Sequence, residues 1–452
     1  MGIEYYLKGK GFIGMSLEHI KLFYPGLNGC ANYRIPSIIT TDKGTLIAAI
    51  DARVDRAGDN PNNIDKYIIR STDGGDTWGP IQNIVDYPGR SDEGSAACDP
   101  AMLQDEETKT IWMIFNHTPA GIGLWASKPG IGFDKDGYRI LYDESGNEYI
   151  LKEDTFVYHK NGEKTSIMID ENGDVLKDGQ KIGNIYLKNG PMLETRTSFL
   201  QAVKSEDDGL TWSEPIDLNP HVKEEWMGFI GAGPGRGIQL KNGAYKGRLV
   251  FPIYFNNALG GRMSCTVIYS DDHGNTWKRG QSPNDGRIWN NKVLNSRTLD
   301  VTEAELTECQ IIEMGNGDLK MFMRNHAKYH RTAIAISKDG GESWKDISFH
   351  DELVDPICQS TVIKHRTDDG KSYLIWANPA HPEKRIKGTV RLSEDEGKTW
   401  PYSRVIREAG YGYSCLTVLP DGRIGLLYEP DDEPGVILFT RFSLNWIMGK
   451  AR

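Results

Sequence analysis

The chain has 452 residues, and its 50 glycines, 20 tyrosines and 11 tryptophans are typical of a protein built from short strands and tight turns. A net charge of −10, from 53 basic and 63 acidic residues without a block of like charge, argues against nucleic-acid binding. No apolar stretch is long enough to span a membrane, and the six cysteines include no CxxC pair of the kind that binds zinc.

Five copies of one short pattern, Ser-x-Asp-x-Gly-x-Thr/Ser-Trp, recur along the chain. Successive copies lie 134, 65, 67 and 56 residues apart. A step of roughly 60 residues fits one four-stranded propeller blade with its linker. The copies begin at Ser71, Ser205, Ser270, Ser337 and Ser393.

Each copy follows the same order of strand signals. Before the first copy come YRIPSIIT, the turn DKG, TLIAAIDAR and a third strand, IDKYIIRS. The copy is then the turn between strands three and four, because Asp and Gly suit a turn and Trp packs into a sheet. The residues before the first blade are expected to add a strand that closes the ring. The order predicts an all-β, six-bladed β-propeller with blades at about 33–88, 98–219, 228–288, 308–350, 358–406 and 413–444.

The doubled step falls after the second strand of the second blade. Residues 130–190 there contain short β segments with Asn-Gly and Asp-Gly turns. We interpret them as a small inserted β domain, so that the propeller comprises residues 1–129 and 191–452. An extra blade is the alternative interpretation.

The repeats also indicate strand direction. We call the rim where first strands begin face A. Second strands return to face A and third strands leave it, so all five repeats lie at the opposite rim. Polar residues at strand ends and in adjoining loops then gather at face A: Arg34, Arg53, Asp59, Asp99, Glu308, Arg324, Arg385 and Tyr413.

Several arginines converging near the axis indicate an anion site, because guanidinium carries a fixed charge and a planar fork that matches a carboxylate. Each residue alone has a simpler interpretation. An arginine or Glu308 can serve in a salt bridge, Asp59 can be a solvated turn residue, and Tyr413 can be a packed aromatic. Convergence at one rim favours a binding site over these separate roles.

The chain resembles the bacterial sialidases (neuraminidases). The resemblance rests on Arg-Ile-Pro at Arg34, the repeats, which look like that family's Asp boxes, DAR followed by Asp59, the Glu308–Arg324 pair, Arg385, and Tyr-Ser at Tyr413. These marks cover nearly the whole chain in order. The insertion is similar to that of secreted Gram-positive sialidases.

The resemblance implies a role for each residue. Arg34, Arg324 and Arg385 would bind the sialic acid carboxylate. Tyr413 would be the nucleophile with Glu308 as its base, and Asp59 the acid/base. Residues expected to line the rest of the pocket are Arg53, Asp99 and Tyr254.

The implied chemistry is physically reasonable. Sialidases depart from the usual carboxylate nucleophile of retaining glycosidases and use Tyr. The anomeric carbon of sialic acid bears a carboxylate, which would repel an anionic nucleophile. A phenol needs a base, and nearby arginines would favour the phenolate. Asp59 must donate a proton, so we expect its pKa to be raised.

The sequence thus predicts an exo-α-sialidase that cleaves terminal sialic acid from glycoproteins, glycolipids or oligosaccharides. The alternatives are an intramolecular trans-sialidase that releases 2,7-anhydro sialic acid and, more remotely, a non-catalytic glycan-binding propeller. The expected partners are sialylated glycans, with no cofactor, no metal and a monomeric state. The start, MGIEYYLKGKGF, lacks the apolar core of a signal peptide. We therefore interpret the chain as cytoplasmic or as a domain of a longer protein, and expect a secreted or cell-surface bacterial location.

Overall fold

The computed structural model describes residues 17–450, in which almost all regular structure is β. The chain folds as an all-β propeller with additional curled sheets. The N-terminal stretch MGIEYYLKGKGF lies outside the described residues. No helix within residues 17–450 is long and apolar enough to cross a membrane.

The first half of the propeller begins with a strand that belongs to its other end. Strand β1 (His19–Phe23) pairs antiparallel with the last strand of the chain, Ile437–Phe442, so the predicted ring-closing strand is confirmed. Two four-strand sets follow and share one nine-stranded sheet, joined where Ile64 pairs in parallel with Ala96. The six strands of these two sets that precede the insertion are β2 (Asn32–Thr40), β3 (Leu46–Arg53), β4 (Ile64–Ser71), β5 (Gln82–Val85), β6 (Ala96–Gln104) and β7 (Ile111–Thr118).

The insertion follows β7 and forms a seven-stranded antiparallel sheet of its own. Its strands are β8 (Arg139–Tyr142), β9 (Glu148–Leu151), β10 (Phe156–His159), β11 (Lys164–Ile169), β12 (Asp174–Lys177), β13 (Gln180–Asn184) and β14 (Leu193–Glu194). A buried polar network joins this sheet to the propeller: Glu194 accepts from Arg139 at 2.8 Å and lies 2.9 Å from His117 Nε2 at the end of β7. The division of the chain at 130 and 190 into domains stays a prediction.

The chain then completes the interrupted set and builds the remaining ones. The elements are β15 (Phe199–Ser205), β16 (Ile216–Asp217), α1 (Asn219–Val222), β17 (Met227–Ala232), β18 (Gly235–Arg236), β19 (Ile238–Gln239), β20 (Leu249–Asn257), β21 (Met263–Ser270), β22 (Lys278–Arg279), β23 (Ile288–Trp289), β24 (Lys292–Val293), β25 (Leu306–Glu313), β26 (Leu319–Asn325), β27 (Arg331–Ser337), β28 (Lys345–Val354), β29 (Thr361–Arg366), β30 (Ser372–Pro379), β31 (Ile386–Ser393), β32 (Tyr402–Gly410), β33 (Ser414–Val418), β34 (Ile424–Tyr428), β35 (Ile437–Phe442) and α2 (Leu444–Met448). Short 3₁₀ turns lie at Leu27–Gly29, Ser91–Glu93, Leu124–Ala126, Gly243–Tyr245, Ser296–Thr298 and Thr302–Ala304.

First strands converge on the segment around β18, near the axis. Ser37 of β2 donates to the Gly235 carbonyl at 2.6 Å. Gln310 of β25 and Gln359, just before β29, both donate to the Pro234 carbonyl, at 3.0 and 3.1 Å. Because residues from separate sheets reach one short segment, side chains at the ends of first strands can meet above it.

The five repeats are turns between third and fourth strands, as predicted. In the first copy, Ser71 donates to Asp73 at 2.8 Å, and Asp73 accepts from the Thr77 amide at 3.0 Å. The repeat glycine has a positive φ in all five copies, a conformation that glycine adopts without a Cβ clash. The set β33–β35 carries no repeat because its fourth strand is β1, supplied by the other end of the chain.

The repeat tryptophans pack against the neighbouring sheet. Trp277 meets Trp112 with ring centroids 5.9 Å apart, and Trp78 meets Phe439 at 5.3 Å, both edge-on. Edge-to-face pairs add to the free energy gained by burying apolar area. The repeats therefore hold sheets together at the rim opposite face A.

Candidate active site

The centre of the site is a hydrogen-bonded group formed by Tyr413, Glu308 and Arg324. The Tyr413 hydroxyl donates to Glu308 Oε1 and accepts from Arg324 Nη1 at 2.7 Å. Arg324 also donates to Glu308 Oε2 at 2.7 Å. Glu308 lies in β25 and Arg324 in the adjacent β26, so their separation of sixteen residues places them at the same end of one hairpin.

The Tyr413 phenol is neutral in this setting. Burial raises its pKa well above the ordinary value, and the Glu308 charge adds to this effect. Arg324 and Arg385 lower the pKa, as expected, but they do not overcome burial. The arginines therefore do not by themselves produce a phenolate, and proton removal is left to Glu308, which already accepts the hydroxyl proton.

Arg34 is held by a residue that the sequence analysis missed, Glu429. Arg34 donates to the two Glu429 carboxylate oxygens at 3.2 and 3.1 Å. Glu429 also accepts from the backbone amides of Ile35 at 2.8 Å and Tyr413 at 3.2 Å. Its position directly after β34, where second strands end at face A, is the signal that could have identified it.

Breaking this pair is expected to destabilise the fold. Burial raises the pKa of Glu429, but Arg34 and the backbone amides more than offset it, so the net pKa is lowered. We expect Glu429→Gln to lower the free energy of unfolding at neutral pH by about 3 kcal/mol, because Arg34 loses a buried partner. The measurement is urea unfolding. Glu433→Gln, which removes a more exposed carboxylate near Arg407, should change stability by less than about 1 kcal/mol.

The pH dependence of that difference has a defined sign. A lowered folded-state pKa means that the ionised Glu429 contributes stability above its unfolded-state pKa of about 4.3. The contribution is lost as pH falls through the lower folded-state pKa. The difference in free energy of unfolding between wild type and Glu429→Gln should therefore become smaller on acidification. A difference that grew would contradict the role given to Glu429.

Three guanidinium groups surround the Tyr413 ring. Arg34 and Arg385 lie 5.3 and 5.5 Å from the ring centroid, and Arg324 bonds the hydroxyl. Arg385 sits in the loop between β30 and β31, where its carbonyl accepts from the Tyr411 amide at 2.9 Å. Across residues 17–450, no carboxylate lies within 4.0 Å of its guanidinium nitrogens. The cluster thus keeps positive charge available for an anion.

Asp59 lies at the mouth of the site in an exposed loop. Its carboxylate pairs with Arg53 Nη2 at 2.5 Å and lies 3.7 Å from Arg34 Nη1, while 72% of its side chain is exposed. Partial burial raises its pKa, but Arg53, Arg34 and Arg385 outweigh this and the net pKa is lowered. The expectation of a raised pKa is therefore wrong for the free protein, because the arginines that prepare an anion site also stabilise the Asp59 carboxylate.

Asp99 and Tyr254 form a hydrogen-bonded pair on the buried side of the site. The Tyr254 hydroxyl donates to Asp99 Oδ2 at 2.9 Å. Burial, with the charges of Asp51 and Glu308, raises the pKa of Asp99 to about 8. Beneath it, the Asp99 amide donates to Asp51, which pairs with the fully buried Lys66 at 2.5 Å. Asp51 begins the DAR motif but was given no role from the sequence, and Lys66 was not singled out, since strand interiors carry no positional signal for such a pair.

All nine predicted residues therefore lie at face A. Seven are linked around Tyr413 by hydrogen bonds, ion pairs and arginine–ring contacts, and Asp99 and Tyr254 form a separate pair. Their proposed roles stay predictions, but the geometry has a clear chemical capacity. It combines a buried phenol already bonded to a carboxylate, an arginine cluster suited to a carboxylate ligand, and an exposed aspartate at the mouth. Such a set can support attack on an anionic substrate with proton transfer to a leaving group.

Comparison with known proteins gives a consistent set of similarities. Residues 180–426 match the family model of the BNR repeat-like domain. The chain is 28% identical to the anhydrosialidase of Macrobdella decora over 97% of this chain and 64% of that protein. It is 30% identical to the sialidase of Micromonospora viridifaciens over 94% of this chain and 53% of the relative. The chain thus spans about half to two thirds of the length of these curated relatives.

Solved structures agree in fold. The intramolecular trans-sialidase from Ruminococcus gnavus, in complex with oseltamivir carboxylate, has a TM-score of 0.81 at 27% identity, covering 94% of this chain and 97% of that chain. The leech intramolecular trans-sialidase, complexed with 2,7-anhydro-Neu5Ac, has a TM-score of 0.82 at 26% identity, covering 97% and 72%.

Proposed function

The chain belongs to the sialidase family of BNR-repeat propellers, a family of glycoside hydrolases, and we propose that it is a retaining exo-α-sialidase acting on terminal sialic acid. The observation that carries this proposal is the Tyr413–Glu308 hydrogen bond within an arginine cluster. A phenol bonded to a base and surrounded by positive charge suits attack on a carbon that bears a carboxylate. The proposed substrates are sialylated glycans.

In the proposed first step, Tyr413 Oη attacks the anomeric carbon while Glu308 accepts the phenolic proton. The glycosidic C–O bond breaks, and protonated Asp59 gives its proton to the leaving oxygen. Arg34, Arg324 and Arg385 bind the substrate carboxylate throughout. The product of this step is a tyrosyl-glycoside with the aglycone released.

In the second step, Asp59, now a carboxylate, takes a proton from water. The resulting hydroxide equivalent attacks the anomeric carbon, the bond to Tyr413 Oη breaks, and Glu308 returns the proton to the phenolate. Two inversions give net retention. The neutral phenol matters because the Coulomb repulsion between a carboxylate nucleophile and the substrate carboxylate would oppose approach.

Substrate binding is expected to change the protonation of Asp59. The substrate carboxylate would neutralise part of the Arg34 and Arg385 charge that lowers the pKa of Asp59 in the free protein. For a substrate with a poor leaving group, activity should fall as pH rises through that pKa. Because kcat/KM reflects the free enzyme and kcat the complex, the alkaline limb of kcat/KM should lie at lower pH than that of kcat. Coincident limbs would contradict the coupling between the arginines and Asp59.

A second candidate, an intramolecular trans-sialidase, is favoured by one specific observation. The Ruminococcus gnavus and leech intramolecular trans-sialidases match over nearly the whole chain, at 27% and 26% identity. In that reaction the substrate's own glycerol hydroxyl replaces water in the second step, and 2,7-anhydro sialic acid leaves.

Product analysis in ¹⁸O-water separates the two. Hydrolysis would yield free sialic acid carrying one ¹⁸O at the anomeric position, detected by mass spectrometry. The anhydro product would carry no label and be lighter by one water. Detection of only unlabelled anhydro sugar would overturn hydrolysis in favour of the transfer reaction, and no turnover of any sialoside would favour a glycan-binding propeller.

Two further features belong to the proposal. Six blades are supported by six antiparallel sets: β2–β5; β6, β7, β15 and β16; β17 and β19–β22; β25–β28; β29–β32; and β33–β35 with β1. A secreted or cell-surface location is proposed because sialylated glycoconjugates are displayed outside cells. Fractionation of the native host would test it.

A further inference from the structure

Large apolar side chains are exposed unevenly over the described residues. Nine such side chains are exposed, and six of them lie in segments at face A: Tyr24, before β2, and five others in loops. These loops follow second strands or precede a first strand, the same positions that carry the site. The five, with their exposed fractions, are Trp125 (72%), Leu259 (69%), Ile288 (73%), Val293 (74%) and Tyr329 (60%).

The most prominent pair belongs to a small hairpin, β23–β24, which we call the rim hairpin (residues 288–293). Ile288 and Val293 stand directly opposite each other across the two strands, so both project from the same side. The other side is anchored: the Trp289 ring lies 6.4 Å from Tyr329 and 6.5 Å from Phe349. The hairpin is therefore fixed to the propeller and presents two branched aliphatic side chains to solvent.

The exposed residues form a band along face A. Asn257, at the end of β20, donates to the carbonyls of Ser296 and Leu299, which ties the Leu259 turn to the loop of the rim hairpin. Gly261 of that turn lies close to the Trp125 ring, since a Cβ added at this glycine would be 3.4 Å from the ring. At its other end, the band includes Tyr329, five residues beyond Arg324.

The charge near the rim hairpin is opposite to that of the whole chain. Residues 285–300 contain three basic residues and two acidic ones, Asp285 and Asp300, for a local charge of +1, whereas the chain carries −10. Arg287 is engaged within the loop: it lies 4.5 Å from the Trp289 ring centroid and donates to Asn284 and to the Ala304 carbonyl. Within the described residues, no carboxylate lies within 4.0 Å of the charged groups of Lys292 or Arg297. The nearby Glu303 is paired with Lys328 at 3.7 Å, and Asp285 accepts from the backbone amides of Ser282 and Ser296.

We propose that the rim hairpin docks on an anionic lipid bilayer. Ile288 and Val293 would enter the boundary between headgroups and acyl chains, while the exposed Lys292 and Arg297 pair with anionic headgroups. At the tip of the rim hairpin a lipid fits better than a sugar, because sugar rings stack on flat aromatic faces and Ile288 and Val293 offer none; the exposed aromatics Trp125 and Tyr329 lie outside the hairpin. This orientation would turn the active site toward sialylated glycolipids of the same bilayer, a consequence that rests on the proposed function.

Vesicle co-sedimentation tests docking directly. Wild-type protein should partition onto phosphatidylcholine vesicles containing phosphatidylserine more strongly than onto phosphatidylcholine alone. The double variant Ile288→Ser/Val293→Ser should bind at least about tenfold more weakly, since it removes the apolar area that would be buried. Lys292→Glu/Arg297→Glu should lose only the preference for phosphatidylserine. Leu210→Ser, which changes an exposed leucine at the opposite rim, should bind like wild type.

Several outcomes would overturn the proposal: no binding of wild type to either vesicle, equal binding by the serine double variant, or weaker binding by Leu210→Ser. Light scattering adds another. A wild-type dimer that the serine double variant dissociates, without vesicle binding, would assign the band to a second copy of the chain.

Activity then separates docking from catalysis. The serine double variant should hydrolyse soluble sialyllactose at the wild-type rate but cleave a ganglioside embedded in anionic vesicles about tenfold more slowly. If neither substrate is cleaved by wild type, the proposed function fails while co-sedimentation still decides docking. If the variant loses both activities equally, the rim hairpin supports the site rather than the membrane contact.

Discussion

Replacement of Tyr413 by Phe is expected to lower kcat by roughly 1,000-fold or more on any sialoside, because the reaction loses its nucleophilic oxygen. The phenyl ring would keep its packing near Arg34 and Arg385, so KM should change much less. Steady-state kinetics with an aryl sialoside, together with binding of a sialic acid analogue by calorimetry, measures both quantities. The predicted pattern is a severe loss of turnover with binding retained.

Tyr411→Phe is the matched control. Tyr411 is as buried as Tyr413 and lies two residues away, but its hydroxyl bonds neither Glu308 nor Arg324. Removing that hydroxyl should leave kcat within about twofold and stability unchanged or slightly improved. Full activity in Tyr413→Phe, or an equal loss in Tyr411→Phe, would show that Tyr413 is not the nucleophile.

Asp59→Asn should produce the second-largest effect, and its size should depend on the leaving group. With sialyllactose, whose alcohol must be protonated to leave, we expect a loss of about 100- to 10,000-fold in kcat/KM. An aryl sialoside releases a stable phenolate without needing a proton. The loss in kcat/KM for the aryl sialoside should therefore be at least about tenfold smaller than the loss for sialyllactose. Because Asp59 also activates water in the second step, the aryl substrate should show a burst of phenol before a slow steady rate.

Asp55→Asn serves as the control within the same loop. The Asp55 carboxylate accepts from the Ser91 amide at 2.7 Å and pairs with none of the arginines of the site. Its replacement should leave both substrates nearly unaffected. Equal losses for sialyllactose and the aryl sialoside in Asp59→Asn would exclude leaving-group protonation as the role of Asp59.

Much of the fold could be predicted because its signals are local. Each repeat encodes its turn within eight residues, through a Ser–Asp bond, an Asp bond to a backbone amide and a glycine at positive φ. Once the turns were placed, strand direction followed, and with it the rim where Arg34, Glu308 and Tyr413 meet. The ring-closing strand followed from the unassigned segment at the start.

The electrostatics of the site could not be predicted in the same way. The pKa of Asp59 is lowered because Arg53 and Arg34 lie 2.5 and 3.7 Å away, and only folding sets those distances. Glu429 is 395 residues from Arg34, so no local sequence pattern could indicate that the two residues pair. Spacing identifies which residues reach a rim, whereas pKa direction depends on burial and neighbours that the sequence does not order in space.

The most direct test of the central claim is trapping of the covalent intermediate. A 2,3-difluorinated sialic acid slows both steps, because the 3-fluorine destabilises the oxocarbenium-like transition state, while the 2-fluoride leaves readily. Digestion and mass spectrometry of the inactivated protein should locate the added sugar on Tyr413. Inactivation with the adduct on another residue, such as Asp59 or Glu308, would contradict the account.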